Sequence, residues 1–371
     1  MKEPAHSDKI SYLSKINTMG VRSSHIAGFD LQDYPVSKNT ILKQMGDGVA
    51  QTFKAFQITR AILPGMSLGV ADTYLRKTYA ALNKNKQPLR IEQEVLADNF
   101  IRLLICDAVS IVAARAIHVN PAQLSIISAI TKYFIPQCVL SGMYALSAVM
   151  RPAHLCREGR FAILQKFRRD YPVVSLGHAG EMVCLQVLLN QMRQLTTRFK
   201  RTPDCMTHIE MICCLQAELP AIDLSQLKMS NSGYLDILNS VFELQAYPQL
   251  ANSYEPSVME NIARQVQAKL FEIQTQVSQL SIQVKDFSKA TQKLLEGYVR
   301  SYALMCGVFV IAMNPSPISA YVSNNELIIG LTEWLIGNSR VHRSRLSMAA
   351  FKALAHCCEN KLAFSFLTVN Y

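Results

Sequence analysis

Ten cysteines and eight histidines are the side chains of this 371-residue chain best suited to metal or nucleophilic chemistry. Their spacing does not organise them for it. There is no CxxC pair, and Cys213–Cys214 and Cys357–Cys358 are adjacent pairs, which suit neither a disulfide framework nor a zinc site. His356, Cys357 and Cys358 follow one another in a segment read as helix. Adjacent helical side chains diverge by about 100°, so these three are not expected to share an ion, and no metal site is expected. The phosphate loops GxGxxG and GxxxxGK and the HExxH zinc motif are missing, and the GxSxG at Gly65–Gly69 falls inside a run with helical spacing rather than on a strand-to-helix turn, so hydrolase, kinase and metalloenzyme readings lack support. Single cysteines on apolar helices read as small core residues. With the polar opening MKEPAHSDK, this gives a cytoplasmic, reducing environment as the expectation.

Lys and Arg outnumber Asp and Glu by 38 to 27, a formal charge of +11. Such a balance can attract nucleic acid, anionic lipid or the phosphates of coenzyme A. The excess concentrates between Arg151 and Arg201, where ten basic residues face Glu158, Asp170 and Glu181. Aromatic residues do not alternate with these charges, so a solvated basic face is expected and a nucleic-acid partner is not. Half the residues are hydrophobic and 18% are charged, which marks a folded chain with two or three domains. The longest apolar run, Tyr302–Met313, is halted by Asn314, Pro315 and Pro317, so a buried helix is expected and no membrane span.

The elements that must position any site are almost all helical. The start is the exception: Ser11–Leu42 alternates in short stretches punctuated by Gly20, Gly28 and Pro35, as two strands and a loop would. A lone strand pair is marginal in water and needs something to lean on. From Met45 to Leu82 apolar residues recur every three or four positions, with Pro64 expected to kink the run. A second helix is expected from Ile91 to His118. Asn120–Pro121 reads as the cap and first position of a third, running to Met150 with a kink at Pro136. A basic loop follows, then a fourth helix from Gly180 to Phe199. Four helices with short connections predict an antiparallel bundle. Beyond Arg201 lies a second helical region. Its clearest signal is Leu270, Ile273, Val277, Leu280, Val284 and Phe287, a heptad-like seam on one helix from Pro256 to Met313. That seam reads as packing in a second bundle or as a dimerising coiled coil. Two helices, Ser319–Ile336 and Ser344–Phe366, are expected to close the chain.

Three pieces lie in a telling order: MGVRSSHIAGFDLQDYPVSKNTIL at Met19–Leu42, TRAILPGMSLGVADTYLRKTYAALNKNKQPLRIEQ at Thr59–Gln93, and LGHAGEMVCLQVLL at Leu176–Leu189. Together they resemble the back half of an acyl-CoA dehydrogenase or acyl-CoA oxidase, over about Ser11–Arg193. Gly20–Val21–Arg22–Ser23–Ser24 is similar to the turn that ends the family's β domain. Phe29–Asp30 matches the following strand, and Tyr34–Pro35 through Leu42 the entry to the bundle. Arg60, followed by Gly65, Ser67, Gly69 and Ala71, is similar to the first bundle helix. Pro88, Leu89, Gln93 and Leu96–Ala97–Asp98 resemble the next helix, and Ala129–Tyr133 the third. Glu326–Phe366, with Trp334, loosely resembles the helical extension of acyl-CoA oxidases. The resemblance implies a mainly α fold: a β-domain remnant over 1–43, a four-helix bundle over 44–201, and a helical C-terminal extension over 202–371.

The resemblance also implies a chemistry. The family removes the proton next to a thioester and passes a hydride to FAD. That requires a carboxylate base with a raised pKa, donors for the thioester oxygen and a clamp on the flavin. The residues that would do this differ here. At the two positions where the family carries its base stand Ala179 and Thr59. Glu181 comes two residues later, about 200° around a helix, and His178 adjoins Ala179; these two are the remaining base candidates. The flavin-contacting Arg and Phe become Leu82 and Asn85, the next Gly becomes Lys86, and a His-Gly-Gly-type turn becomes Val149–Pro152. Gln93 and Arg60 remain as candidate flavin contacts. The implied function is a non-catalytic acyl-CoA dehydrogenase-like subunit, a pseudoenzyme of lipid metabolism without the N-terminal domain and most of the β domain. It would form a homo-oligomer or a hetero-oligomer with a catalytic subunit, around an acyl-CoA or acyl-carrier thioester. The alternative is an active FAD-dependent oxidoreductase with a displaced base, or one part of a split enzyme.

Overall fold

The computed structural model describes residues 8–40, 46–84, 87–177, 180–279, 287–336 and 343–367. It opens with two three-residue strands, β1 (Ile10–Tyr12) and β2 (Phe29–Leu31), paired antiparallel with Ser11 opposite Asp30. The helices follow as α1 (Gly48–Ile62), α2 (Met66–Leu82), α3 (Arg90–Val119) and α4 (Leu124–Met150). Pro64 lies in the tight 3-10 turn Leu63–Gly65, so α1 and α2 are one kinked run, as the missing N–H of proline requires. α3 and α4 are apolar on nearly every face, and helices of that kind belong in a core. Pro136 is accommodated inside α4, where Tyr171 Oη donates to the Pro136 carbonyl at 3.3 Å.

The segment expected to be a basic loop holds α5 (Ala162–Asp170) and α6 (Pro172–Leu176). α7 (Glu181–Thr197) then completes an antiparallel bundle of α1/α2, α3, α4 and α7. Beyond it come α8 (Cys205–Cys213), α9 (Asp236–Asn239), α10 (Pro248–Ser253), α11 (Pro256–Gln279), α12 (Lys289–Met313), α13 (Asn324–Leu335) and α14 (Arg343–Glu359). α8, α12 and α14 all pack on α3, and the buried apolar residues of the two regions form one continuous core.

Several expectations need correction. The Pro256–Met313 helix is instead a hairpin of α11 and α12. Ser253 Oγ reaches the Ala312 carbonyl at 2.9 Å, and Gly297 sits against Lys269 and Ile273, which fixes an antiparallel course. A side chain at Gly297 would press on Lys269, so this glycine allows close approach. Of the seam, Leu270, Ile273 and Val277 are buried against neighbouring helices of the same chain; Leu280 and Val284 lie outside the described residues. Asn120 makes no cap bond. Its amide goes to Asp236 Oδ2 at 3.2 Å, and a 3-10 turn over Pro121–Gln123 precedes α4. The closing helices are shorter than expected. After α14 the chain turns back and docks on α2 and α3. Arg76 donates to the Leu362 carbonyl, Phe364 N–H reaches Asp72 at 3.4 Å, and Phe366 N–H reaches Asp107 at 2.8 Å.

By length and composition, three segments are apolar enough to cross a membrane, where none was expected: Pro121–Leu155, Gly159–Thr197 and Lys289–Met313. In the first and last, 83% of the most apolar window is buried inside the protein, because α4 and α12 are core helices. The middle segment is divided among α5, α6 and α7, and it takes in residues outside those described.

Candidate functional site

The head of α7 is where the chain gathers charged groups inside the bundle. Gly180 is extended (φ −72°, ψ 178°), and its carbonyl accepts the first helical bonds, from Val183 at 3.0 Å and Cys184 at 3.3 Å. Glu181 is the acidic residue of that first turn, at the positive end of the helix dipole. Two cations approach from other helices. Arg60 on α1 is 3% exposed, with its guanidinium 5.8 Å and 5.5 Å from the rings of Phe53 and Phe56. Lys132 on α4 is fully enclosed, and its Nζ donates to the Val174 carbonyl in α6.

Burial sets the electrostatics here. It lowers the pKa of Lys132, which Cys184 and Glu181 partly hold up and Arg60 lowers further. It lowers Arg60 as well. It pushes the Cys184 thiol up to about 11, against the pull of Arg60 and Lys132. Cys184 is therefore a protonated core thiol near neutral pH. Ser125 and Ser128, seven and four residues before Lys132, lie on the same face of α4, and their buried hydroxyls have no hydrogen-bond partner among the described residues. The α1–α4–α7 contact thus encloses a strip of polar groups. Lys132 ties α6 to α4, and Glu181 stands at the edge of the strip, with no hydrogen bond or ion pair among the described residues.

The candidate residues do not converge on one site. His178 and Ala179 lie outside the described residues. Thr59 is half-buried on α1, its hydroxyl donating to the Phe56 carbonyl of its own helix at 3.2 Å. Gln93 is at the other end of the bundle. Its amide donates to the Pro88 carbonyl at 2.8 Å, and neighbouring Glu92 lies 4.0 Å from Arg151 at the end of α4. Lys132 and Arg151 are 19 residues apart in sequence, about 28 Å along a helix, so Gln93 and Arg60 cannot touch one small ligand together. Arg60 and Glu181 do share a neighbourhood, through Lys132. Lys132 itself was not singled out from the sequence. Its signal is a lone cation in the apolar run Ile130–Ile135.

Two backbone features stand out where the resemblance implies turns. Arg151 has φ 54° and ψ −143°, a conformation that favours glycine, at the position where the resemblance implies a glycine turn. Gly20 packs against the end of α5: a Cβ there would lie 1.8 Å from the Arg169 carbonyl oxygen. Beside it, Val21 N–H donates to Asp170 Oδ1 at 2.7 Å. The short β segment is thereby tied to the approach to α7. With Arg60 enclosed and Gln93 bonded to the start of its own helix, the described side chains at the implied flavin positions do not fit a flavin dinucleotide. Elsewhere, His356 faces Asn360 and the Tyr321 ring while Cys357 is buried, and no group of three metal-ligating side chains gathers among the described residues.

No family model and no curated protein matches the sequence. Among solved structures, the chain is similar to an acyl-CoA dehydrogenase complexed with FAD from Bacillus anthracis. The two are 11% identical, with a TM-score of 0.50. The match covers 95% of this chain and 64% of that one, so the chain spans less than two thirds of that protein's length. At this identity the likeness is one of fold, and the mainly α architecture read from the sequence is the architecture found.

Proposed function

We propose that this chain is an acyl-CoA dehydrogenase-like helical subunit that does not itself abstract a proton, and that it supports a partner acting on an acyl thioester. The observation that carries the reading is the state of the implied base position on α1. Thr59 is a hydroxyl turned into its own helix, and its neighbour Arg60 is enclosed among aromatic rings. A thiol protonated at neutral pH and a lysine held by a backbone carbonyl do not replace a carboxylate base.

The N-terminal strands support the subunit role. Tyr12, Leu13, Ile16, Met19, Phe29 and Leu31 are all at least half exposed on a two-stranded ribbon, a pattern that suits burial under a further sheet. The solved neighbour of like fold is longer and is complexed with FAD. A partner contributing a further sheet would cover this ribbon. One observation favours the alternative of an active flavoenzyme: Glu181 stands at the head of α7, in the field of Lys132 and with no hydrogen bond among the described residues.

The test is to incubate the purified chain with excess FAD, remove free cofactor and record the visible spectrum. The expected result is a colourless, folded protein. A yellow protein with stoichiometric flavin, bleached by an acyl-CoA without air, would overturn the proposal.

A further inference from the structure

A cavity lies on the side of α4 opposite Lys132. Phe134, Gln137, Cys138 and Ser141 line it from α4, centred roughly 190° around the helix from Lys132. Its other walls come from α3, α12 and α13, it opens to solvent, and its volume is about 300 Å³, enough for a small organic molecule. Arg102 from α3 and Arg300 from α12 both face it. Arg102 lies 5.0 Å from the ring centre of Trp334, which forms the α13 wall. Neither guanidinium has a carboxylate or hydrogen-bond acceptor among the described residues. The acidic group of the lining, Glu296, is already engaged: it accepts from Tyr133 Oη at 2.9 Å and from Gln292 Nε2 at 3.0 Å. Both arginines act on Cys138 at the cavity floor, adding to the lowering that its Cys106 neighbour causes. The two cations thus line the same cavity, within electrostatic reach of one thiol.

We propose that this cavity binds a small organic oxyanion with a flat ring, a carboxylate or a phosphate ester, held by Arg102 and Arg300 with its ring against Trp334. The physical case is complementarity. Guanidinium forks match the geometry of carboxylate and phosphate oxygens. The indole, with Phe134 and Tyr133 nearby, supplies stacking surface for an apolar ring. Arg102 is half-buried with its guanidinium 5.0 Å from the Trp334 ring centre, so part of its side-chain freedom is already spent before binding. The site involves neither Glu181 nor a flavin, and it stands whether or not the chain is catalytic.

Trp334 is the single tryptophan of the chain, so intrinsic indole fluorescence reports on this cavity alone. The experiment titrates the full-length protein with phenyl phosphate, benzoate, inorganic phosphate and benzyl alcohol. Saturable fluorescence change with phenyl phosphate or benzoate is expected, and whichever binds more tightly identifies the oxyanion. Inorganic phosphate and benzyl alcohol should bind at least about tenfold more weakly, since each lacks one half of the recognition. Arg102→Gln and Arg300→Gln should each weaken binding about tenfold or more. Arg300 is exposed, so its variant keeps the test decisive if Arg102→Gln fails to fold. No saturable change with either aromatic anion would overturn the proposal. So would equal binding of benzyl alcohol, or unchanged affinity in Arg300→Gln.

Discussion

Asp107 sits in the middle of α3 and receives the C-terminal tail: Ser365 Oγ donates to its Oδ2 at 2.7 Å and Phe366 N–H at 2.8 Å. Burial raises its pKa from an ordinary 3.8 to about 6, against the lowering effect of those two bonds. That raise corresponds to about 3 kcal/mol between the protonated and ionised forms. Because the folded value lies above the unfolded one, the stabilising contribution is fully present below the unfolded pKa. It is lost as pH rises through about 6, where the buried carboxylate ionises. Between about pH 4.5 and about pH 7.5, roughly 2 kcal/mol of it should disappear. Asp107→Asn keeps an acceptor oxygen for both tail donors but cannot ionise. Denaturant unfolding of both proteins at the two pH values isolates this group from all others that titrate. The stability of wild type relative to Asp107→Asn should fall by roughly 2 kcal/mol on going to the higher pH. Parallel pH profiles would refute the reasoning, because burial would then not dominate the tail bonds at Asp107.

Phe364→Ala should cost about 3–5 kcal/mol in the same unfolding assay, since the ring is buried with the Arg76 guanidinium at 3.7 Å and the Phe100 ring at 5.2 Å. Arg151→Gly should raise the melting temperature, with a gain of about 1 kcal/mol, because the exposed side chain gives up only a 4.0 Å contact with Glu92 while the backbone conformation is one that glycine adopts freely. Asp236→Ala should destabilise by about 3 kcal/mol or more, because it removes the acceptor for Thr202 N–H at 2.8 Å, Thr202 Oγ1 at 2.6 Å and Asn120 Nδ2 at 3.2 Å in a fully buried setting. A loss below about 1 kcal/mol would mean that water replaces the carboxylate there.

The bundle was legible where apolar periodicity ran long. α3 and α4 were placed within a few residues because their flanking prolines and polar turns are local signals. α5 and α6 escape a sequence reading because nine and five residues are shorter than the window over which a helical period can be told from chance. A single helix over Pro256–Met313 is the natural sequence reading because the apolar seams of α11 and α12 are in phase, and nothing local in them distinguishes one long helix from two. Asn120 has a cap residue's identity, but its partner Asp236 lies 116 positions away. The tail's bonds to Asp72 and Asp107 span more than 250 positions and leave no periodic trace. The same holds for the site at the head of α7. Thr59, Arg60 and Glu181 could be named from the resemblance, but only the fold encloses Lys132 beside them and sets Gln93 at the far end of α4.

Proton abstraction can be measured without any flavin, by following exchange of the α-hydrogens of an acyl-CoA in deuterated buffer by NMR. The account predicts exchange no faster with the protein than in buffer alone, for wild type and Glu181→Gln alike. Saturable exchange in wild type that vanishes in Glu181→Gln would contradict it and would make Glu181 a working base.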